Sequence, residues 1–354
     1  MNRLALLLRN EFNLFRTAPI IHLIAILQPT LMFLLMAAIM VVPTIDMRVL
    51  KPTSEAGLDL IAAMDAVTSP IGPDYIETIL VEENGAGHKQ IIEIIDQNGK
   101  KTALQRYGFI DSNLVKNLRN RLTAALLLMW NNDLGEAAVQ INEHPWLPID
   151  ISYTVYFGMA MIPLASYLAA AMIGGYLMAQ EFEHGTILSY RLCPSSIYLQ
   201  LAAKLIRLLV TGLAAAGLLY VCLGLMTGVW GRSPFQIILI LIPLTLIAAC
   251  IGLIAGLLTR STLPSFLISL ASAFLFWLVG SGFGLAAGFS DLFEKISRFL
   301  PNTPVVEMMF PQFYFGRQVA AHPQAAKIQL AGYSLILLAA TLMLYRQRVV
   351  KPHR

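Results

Sequence analysis

The sequence predicts a polytopic all-α membrane protein with six transmembrane helices, an N-terminal amphipathic elbow helix and a small α+β extracytoplasmic domain between spans one and two. Of the 354 residues, 57% are hydrophobic and only 13% are charged, whereas about a quarter of the residues of a soluble domain are charged. The apolar residues gather into six runs of roughly 20 residues, the length that crosses a bilayer. One long polar segment, residues 43–150, separates the first run from the second.

The N-terminal residues 1–17 are expected to form the elbow helix. Leu4, Leu8 and Phe12 share one helical face opposite Arg9, which is typical of a helix lying in the headgroup layer. A frayed start of span one is the alternative, but polar residues within the run argue against simple insertion. The apolar runs then predict spans one to six at residues 18–42, 152–178, 202–228, 235–258, 263–288 and 328–345.

The placement of basic residues indicates the orientation of the chain. Arginine and lysine concentrate before span one, between spans two and three, at Arg260, and in the tail 346–354. With six spans these regions share one side, which the positive-inside rule assigns to the cytoplasm. Both termini are therefore expected in the cytoplasm, and the net charge of +4 reports topology and does not indicate a nucleic-acid partner.

The polar segment 43–150 is long enough for a small domain. Residues 75–81 and 90–96 are rich in β-branched residues and bounded by turn signals at 84–87 and 98–99, so they are expected to form strands. A helix follows, capped by Asp111 or Ser112, with a second short helix at 136–141. The segment contains no cysteine, so it has no disulfide framework.

The segment 289–327 is also predicted to be external. Four prolines divide it, and irregular backbone at membrane depth must be buried in protein or line a water-filled cavity. Residues 302–315 are expected to form short re-entrant or interfacial helices over the outer mouth, with a plain surface loop as the alternative. The pairs Gly252 and Gly256, and Gly224 and Gly228, offer faces for close helix approach and favour a tightly packed or dimeric core.

The chain is not predicted to be an enzyme. It contains no P-loop, since "GAGHKQ" (85–90) and "NGKKT" (98–102) lack the spacing that cradles phosphate. "EFEH" (181–184) is not His-Glu-x-x-His and would make a poor zinc site. Spans two to six hold almost no ionisable residue away from their ends, apart from the boundary residues Lys204 and Arg207, and span one carries His22 near its cytoplasmic start. Ion-coupled carriers, by contrast, mark their pathways with charge. Transport energy would therefore come from elsewhere, and no metal or cofactor is expected in this chain.

The stretch "EFEHGTILSYRLCPSS" (181–196) follows span two on the cytoplasmic side. By its physical chemistry it is either a solvated cap at the membrane edge or a docking surface for a partner. Its acid-x-acid-x-Gly-Thr segment, later Pro-Ser pair and Lys at the start of span three resemble those of ABC-2-type permeases, the membrane subunits of type V ABC exporters. The layout is similar to the efflux branch, which has an ectodomain after span one. The matching residues are Glu181, Glu183, Gly185, Thr186, Pro194, Ser195 and Lys204.

The resemblance implies that the loop 179–201 is a coupling helix seated on a separate ATPase subunit, which would bind ATP and Mg. Two ATPases and two permeases would assemble, the permeases as a homodimer or a paralogous heterodimer, in the lipid of a bacterial inner membrane. The residues implied in ATPase coupling are Glu181, Glu183, His184, Gly185, Thr186, Arg191 and Pro194.

The leading functional hypothesis is a permease that exports a hydrophobic or amphiphilic substrate, such as a drug, lipid or lipid-linked molecule, from the cytoplasm or inner leaflet. An alternative is a non-transporting subunit that relays ATPase motion to its ectodomain to regulate an external partner. A membrane enzyme acting on lipids is a third, weaker hypothesis. The candidate substrate-pathway residues are Tyr153, Tyr156, Phe157, Tyr167, Phe274, Phe276, Trp277 and Phe283.

Overall fold

The computed structural model of the chain describes residues 3–17, 19–40, 45–50, 55–66, 76–82, 90–97, 100–107, 112–133, 153–192, 195–282, 291–313 and 323–350. The chain divides into two compact units. Met1–Met40 with Ser152–Arg354 forms one, which we call the membrane unit, and Val41–Ile151 forms the other. The predicted short helix at 136–141 and the turn signals at 84–87 and 98–99 lie outside the described residues.

Helices dominate the described chain. In chain order the elements are α1 (Arg3–Thr17), α2 (Pro19–Met40), β1 (Ile45–Leu50), α3 (Glu55–Ala66), β2 (Ile76–Val81), β3 (Gln90–Gln97), β4 (Lys100–Tyr107), α4 (Ser112–Asp133), α5 (Tyr153–Glu183), α6 (Ile187–Leu192), α7 (Ile197–Thr227), α8 (Pro234–Thr259), α9 (Thr262–Trp277), α10 (Asp291–Ser297), α11 (Asn302–Phe313) and α12 (Pro323–Tyr345). Short π-helical segments, Leu278–Gly282 and Arg346–Val350, extend α9 and α12.

The unit Val41–Ile151 contains a mixed four-stranded sheet in the order β2-β1-β3-β4. Strand β1 runs parallel to both β2 and β3, while β3 and β4 form an antiparallel pair in which Gln97 lies opposite Lys100. That register leaves a two-residue connection, the length of a tight hairpin turn. Helices α3 and α4 pack together through apolar residues such as Leu60, Met64 and Ala125, which are buried.

Six helices of the described chain are long and apolar enough to cross a membrane. They cover Pro19–Ala38, Thr154–Glu183, Ile197–Thr227, Pro234–Thr259, Thr262–Gly280 and Gln324–Val349. The predicted class, a polytopic all-α membrane protein with six spans, is thereby confirmed. Span five is described only as far as Gly282, so the predicted continuation to residue 288 lies outside the described residues.

Span two, α5, is the central helix of the membrane unit. In its most apolar 18-residue stretch, 100% of the residues are buried inside the protein, whereas the corresponding value for span six is 22%. It packs most extensively against α8, α7 and α9. The apolar middle of α5 is therefore surrounded by protein, while the outer faces of the other spans remain exposed for lipid.

Glycine permits α8 to approach α5 closely. A Cβ atom added to Gly252 would lie 2.2 Å from the carbonyl oxygen of Ala171, and one added to Gly256 would lie 2.8 Å from that of Gly175. Such small-residue faces let helix backbones meet in a membrane. Gly252 and Gly256 thus form a contact within the chain, where span four packs against span two. A buried hydrogen bond joins Ser166 of α5 to Thr245 of α8.

The segment after span five folds back onto the membrane unit. Helix α11 is almost entirely buried, with Val305, Met309 and Phe310 at most 2% exposed. The side-chain amide of Asn302 donates a hydrogen bond of 2.7 Å to the carbonyl oxygen of Gly280. Residues 302–313 are therefore a packed helix rather than a plain surface loop.

Substituting Gly252→Ala should destabilise the protein, because the new methyl group meets the backbone of Ala171. Overpacking of this kind costs about 1–3 kcal/mol. Gly217→Ala is the matched control, since nothing lies within 4 Å of that position and alanine is the better helix former. Thermal unfolding of the purified full chain would measure both. Equal melting temperatures for the two variants would contradict the close approach of α8 to α5.

Candidate functional site

The stretch 181–196 folds as a helix, a tight turn and a short second helix. Helix α5 ends at Glu183, and Gly185 adopts a left-handed backbone conformation with φ of 68°. This conformation favours glycine and reverses the chain into α6. The Thr186 hydroxyl donates to the carbonyl oxygen of Glu181 at 3.3 Å. Pro194 lies outside the described residues.

Glu181 points into the protein, where it pairs with Lys204 of α7. Both are buried, with 8% and 4% of their surfaces exposed. The Lys204 ammonium also donates to a carboxylate oxygen of Glu11 at 3.1 Å and to the hydroxyl of Tyr190 at 3.1 Å. An ammonium has three donors, and each one meets a partner here.

Glu11 of the elbow helix connects Lys204 to a second buried base. One of its oxygens accepts from Lys204, and the other accepts from Arg207 at 3.1 Å. The second terminal nitrogen of Arg207 lies 2.5 Å from Nε2 of His22 on span one. Because guanidinium can only donate, Nε2 of His22 acts as the acceptor, and its proton is on Nδ1. We call these five residues, Glu11, His22, Glu181, Lys204 and Arg207, the buried ion cluster.

Hydrogen bonds extend the buried ion cluster to α6 and span six. Tyr190 of α6 donates to Glu11 at 3.2 Å, and its ring lies 4.4 Å from the Lys204 ammonium. Gln200 donates to the carbonyl oxygen of Tyr190 at 3.1 Å and accepts from the hydroxyl of Tyr345 at 3.4 Å. The elbow helix, α6 and spans one, two, three and six therefore converge on one polar network.

Electrostatics favour an ionised Glu11 in this setting. Burial raises the pKa of its carboxyl, but the adjacent Lys204 and Arg207 outweigh this effect, and the pKa falls below its ordinary value. Burial also raises the pKa of Tyr190, so its hydroxyl keeps its proton and can donate to Glu11. Charges of both signs therefore compensate each other in the interior, as buried charge requires.

Glu183 has a different position from Glu181, although only two residues separate them. It is exposed and accepts hydrogen bonds from the backbone N–H and the hydroxyl of Thr262, at 2.7 and 3.2 Å. Thr262 begins α9, so a carboxylate caps the N-terminus of that helix, where negative charge is stabilising. Nearby, the Arg260 guanidinium lies 5.6 Å from the centre of the Phe182 ring. Span two and span five are thereby joined at this end.

The exposed part of the stretch is formed by its turn and by one face of α6. His184, Gly185 and Thr186 are exposed. Leu188 and Leu192 are also exposed, at 56% and 85%. We call these five residues the α6 surface. Arg191 belongs to α6, but its side chain is not described.

The structure places most of the candidate pathway aromatics in a packed seam between span two and span five. Phe157 contacts Trp277 edge-on at 5.9 Å, and Trp277 donates through its ring N–H to the carbonyl oxygen of Ala160 at 2.9 Å. Tyr167 contacts Phe276 in the same manner at 5.8 Å and donates to Ser272.

Burial separates these aromatics into two groups. Phe157, Tyr167 and Trp277 are at most 2% exposed, so they pack the interior and offer a substrate no surface in this conformation. Tyr156, Phe274 and Phe276 are only partly buried, and they remain the accessible candidates. The structure does not describe the side chain of Tyr153, and Phe283 lies outside the described residues.

In the part of the chain that the structure describes, no group of three His, Cys, Asp or Glu residues is placed to hold a metal ion. The buried ion cluster has its carboxylates engaged by Lys204 and Arg207. The cluster joins the elbow helix to spans one, two and three.

A family model described as ABC-2 family transporter protein matches residues 75–346. The chain belongs to this family. The match confirms the resemblance seen in the stretch 181–204, and it covers most of the chain. Neither the curated proteins nor the solved structures include a match to the chain.

Membership of the ABC-2 family makes this chain a multi-pass membrane subunit, the permease of an ABC transporter. Such a permease works with an ABC ATPase, and ATP hydrolysis is the task of that separate subunit. The α6 surface, and Glu181 of the buried ion cluster, lie in the loop 179–201 that the resemblance implicates in this partnership.

Sequence reasoning identified Glu181 and Lys204 but not the pairing between them, and it missed Glu11, His22 and Arg207 as site residues. One signal was available. Lys204 and Arg207 stand inside an apolar helix, and buried charges at such positions need partners. The partners themselves could not be chosen, because Glu11 is 193 residues away from Lys204.

Substituting Lys204→Met should lower the free energy of unfolding by about 3–5 kcal/mol, because removal of one partner leaves buried carboxylates uncompensated. Arg298→Met is the control. It removes the pairing of Arg298 with Glu294 on an exposed surface, where a pair contributes only about 0.3–0.5 kcal/mol. Chemical unfolding of the purified full chain would measure both values. A Lys204→Met chain as stable as Arg298→Met would contradict the buried ion cluster.

Proposed function

We propose that this ABC-2 permease exports a hydrophobic or amphiphilic molecule, and that its ATPase docks on the α6 surface. The observation that carries the docking proposal is the exposure of Leu188 and Leu192 on a short helix. Large apolar side chains grouped on a surface beside polar residues are typical of interaction sites. Glu183, His184 and Thr186 provide the polar surroundings.

The two acids of the stretch act in this proposal through the permease itself. Glu181 is buried against Lys204, and Glu183 caps α9 through Thr262. They would transmit the motion of the ATPase, while the α6 surface makes the direct contact. The burial of Glu181 supports this division, since a carboxylate in the interior has no free surface for a partner. Glu183 is exposed, but its carboxylate is engaged by Thr262.

Motion of α6 would reach the spans through Tyr190. Its hydroxyl contacts Glu11 and Lys204, and its carbonyl oxygen accepts from Gln200. A push on α6 would therefore displace the elbow helix and span three together. The hydrogen bonds of Glu183 with Thr262 would carry the same displacement to span five.

We also propose a membrane location and a subunit assembly for the permease. The arginines and lysines of the termini and of the region 191–207 support cytoplasmic termini by the positive-inside rule, in a bacterial inner membrane. Two permeases, as a homodimer or a paralogous heterodimer, would assemble with two ATPases and their bound ATP and Mg. The assembled transporter would be a type V ABC exporter of the efflux branch.

The chemistry of the spans supports an apolar or amphiphilic substrate. The charged residues of the six spans lie near helix ends, as Glu181 and Arg346 do, or belong to the buried ion cluster, as Lys204 and Arg207 do. A charged group of the substrate would find no counter-charge midway through the bilayer, and placing an unpaired charge there costs free energy. Tyr156, Phe274 and Phe276 would contact the apolar part of the substrate.

A second candidate function, a relay that regulates an external partner, is favoured by one observation. Phe157, Tyr167 and Trp277 close the seam between spans two and five by direct packing. A relay needs rigid spans and no passage. A transporter must open this seam during its cycle.

The two functions can be separated by reconstituting the permease with its ATPase in vesicles. Export predicts ATP-dependent loss of a fluorescent phospholipid or hydrophobic dye from the leaflet that faces the ATPase. Cross-linking Phe157→Cys to Trp277→Cys should stop that movement, while each single cysteine should not. ATP turnover without movement of either probe, and unaffected by the cross-link, would favour the relay.

The docking proposal predicts that Leu188→Glu combined with Leu192→Glu abolishes co-purification with the ATPase, because charge replaces the apolar contacts. Both side chains are exposed, so the permease itself should fold as before. Leu58→Glu is the matched control, because Leu58 is 55% exposed on α3 of the other unit. Normal recovery of the ATPase with the double variant would refute docking on the α6 surface.

A further inference from the structure

A cavity of ≈ 550 Å³ lies between α8, α11 and α12. Leu239 and Leu330 contribute to its apolar wall, and Glu307 and Lys327 bring opposite charges to the same space. Its volume falls within the ~300–1,000 Å³ that is usual for small-molecule sites. The cavity takes no part in the coupling proposed above.

The cavity lies at the membrane boundary opposite the buried ion cluster. Lys327 is in the first turns of α12, whose far end carries Tyr345 of the polar network. Gln236, another lining residue, is likewise close to the start of α8. Lys327 and Gln236 therefore lie at the same end of the membrane unit, and Leu239, which is 50% exposed, follows one turn further along α8.

Half-buried Glu307 and exposed Lys327 form no ion pair with any residue that the structure describes. Within the described residues, neither Glu307 nor Lys327 has an opposite charge within 4 Å, and they do not pair with each other. Arg298 pairs with Glu294 instead. Burial raises the pKa of Glu307, an effect that the charge of Arg298 only partly offsets. A half-buried carboxylate of this kind would be stabilised by a cation entering the cavity.

We propose that this cavity binds a phospholipid with a zwitterionic amine–phosphate headgroup, its ammonium against Glu307 and its phosphate against Lys327. Both charges are then satisfied by one ligand, and the acyl chains follow the exposed apolar face of α8. The amides of Gln236 and Gln312 line the same cavity and can donate to ester or phosphate oxygens. An anionic lipid without an amine would satisfy Lys327 but bring its phosphate close to Glu307.

The test is retention of lipid by the full chain. Purified protein is titrated with phosphatidylethanolamine or phosphatidylglycerol, and bound lipid is counted by native mass spectrometry. Glu307→Gln should weaken phosphatidylethanolamine about 5-fold, the scale of one partly exposed charge pair, and leave phosphatidylglycerol unchanged or tighter. Lys327→Met should weaken both lipids. Lys295→Met, an equal loss of charge on exposed α10, should weaken neither.

Two results would overturn the proposal. One is equal binding of the two lipids by the unaltered chain. The other is a loss with Glu307→Gln that does not depend on the headgroup. Melting temperatures of all variants, measured in the same detergent, show whether a change in binding reflects unfolding. Because lipid retention is measured without ATP, failure here leaves the proposed export function unaffected.

Discussion

The ammonium of Lys204 lies in an interior that excludes water, so its charge must be neutralised by groups of the protein. Glu11 and Glu181 provide that charge from the elbow helix and span two, and Tyr190 provides the third acceptor from α6. A buried base with one missing partner costs several kcal/mol. The need to satisfy Lys204 therefore fixes the elbow helix, the end of span two and α6 relative to span three.

The packing of span two makes this end of the protein mechanically useful. The most apolar part of helix α5 is buried, and the backbones of α5 and α8 touch at Gly252 and Gly256. Close-packed interiors transmit displacement because they are not continuously deformable. A motor acting on α6 would consequently move spans as rigid helices. The Glu183 cap on Thr262 adds span five to the same set of connected parts.

The two boundaries of the membrane unit use charge in opposite ways. At the α6 end, acids and bases pair with each other inside the protein, and the exposed α6 surface combines two leucines with polar residues. At the other end, Glu307 and Lys327 line a shared cavity without being paired. The first arrangement suits a mechanical joint. The second suits a site that a zwitterionic lipid completes.

The sequence by itself determined the class of the protein and showed the stretch 181–204 that resembles its family. Runs of about 20 apolar residues specify six spans, because a helix of that length crosses the bilayer with its backbone hydrogen bonds satisfied. The motif from Glu181 to Lys204 is short enough to be recognised from the sequence alone. Only the tertiary structure decided that Glu181 is buried while Glu183 caps a distant helix, and that Glu11 and His22 complete the cluster. It also placed Phe157 and Trp277 in a packed seam. Partner choice over such separations depends on helix packing, which residue spacing along one chain does not encode.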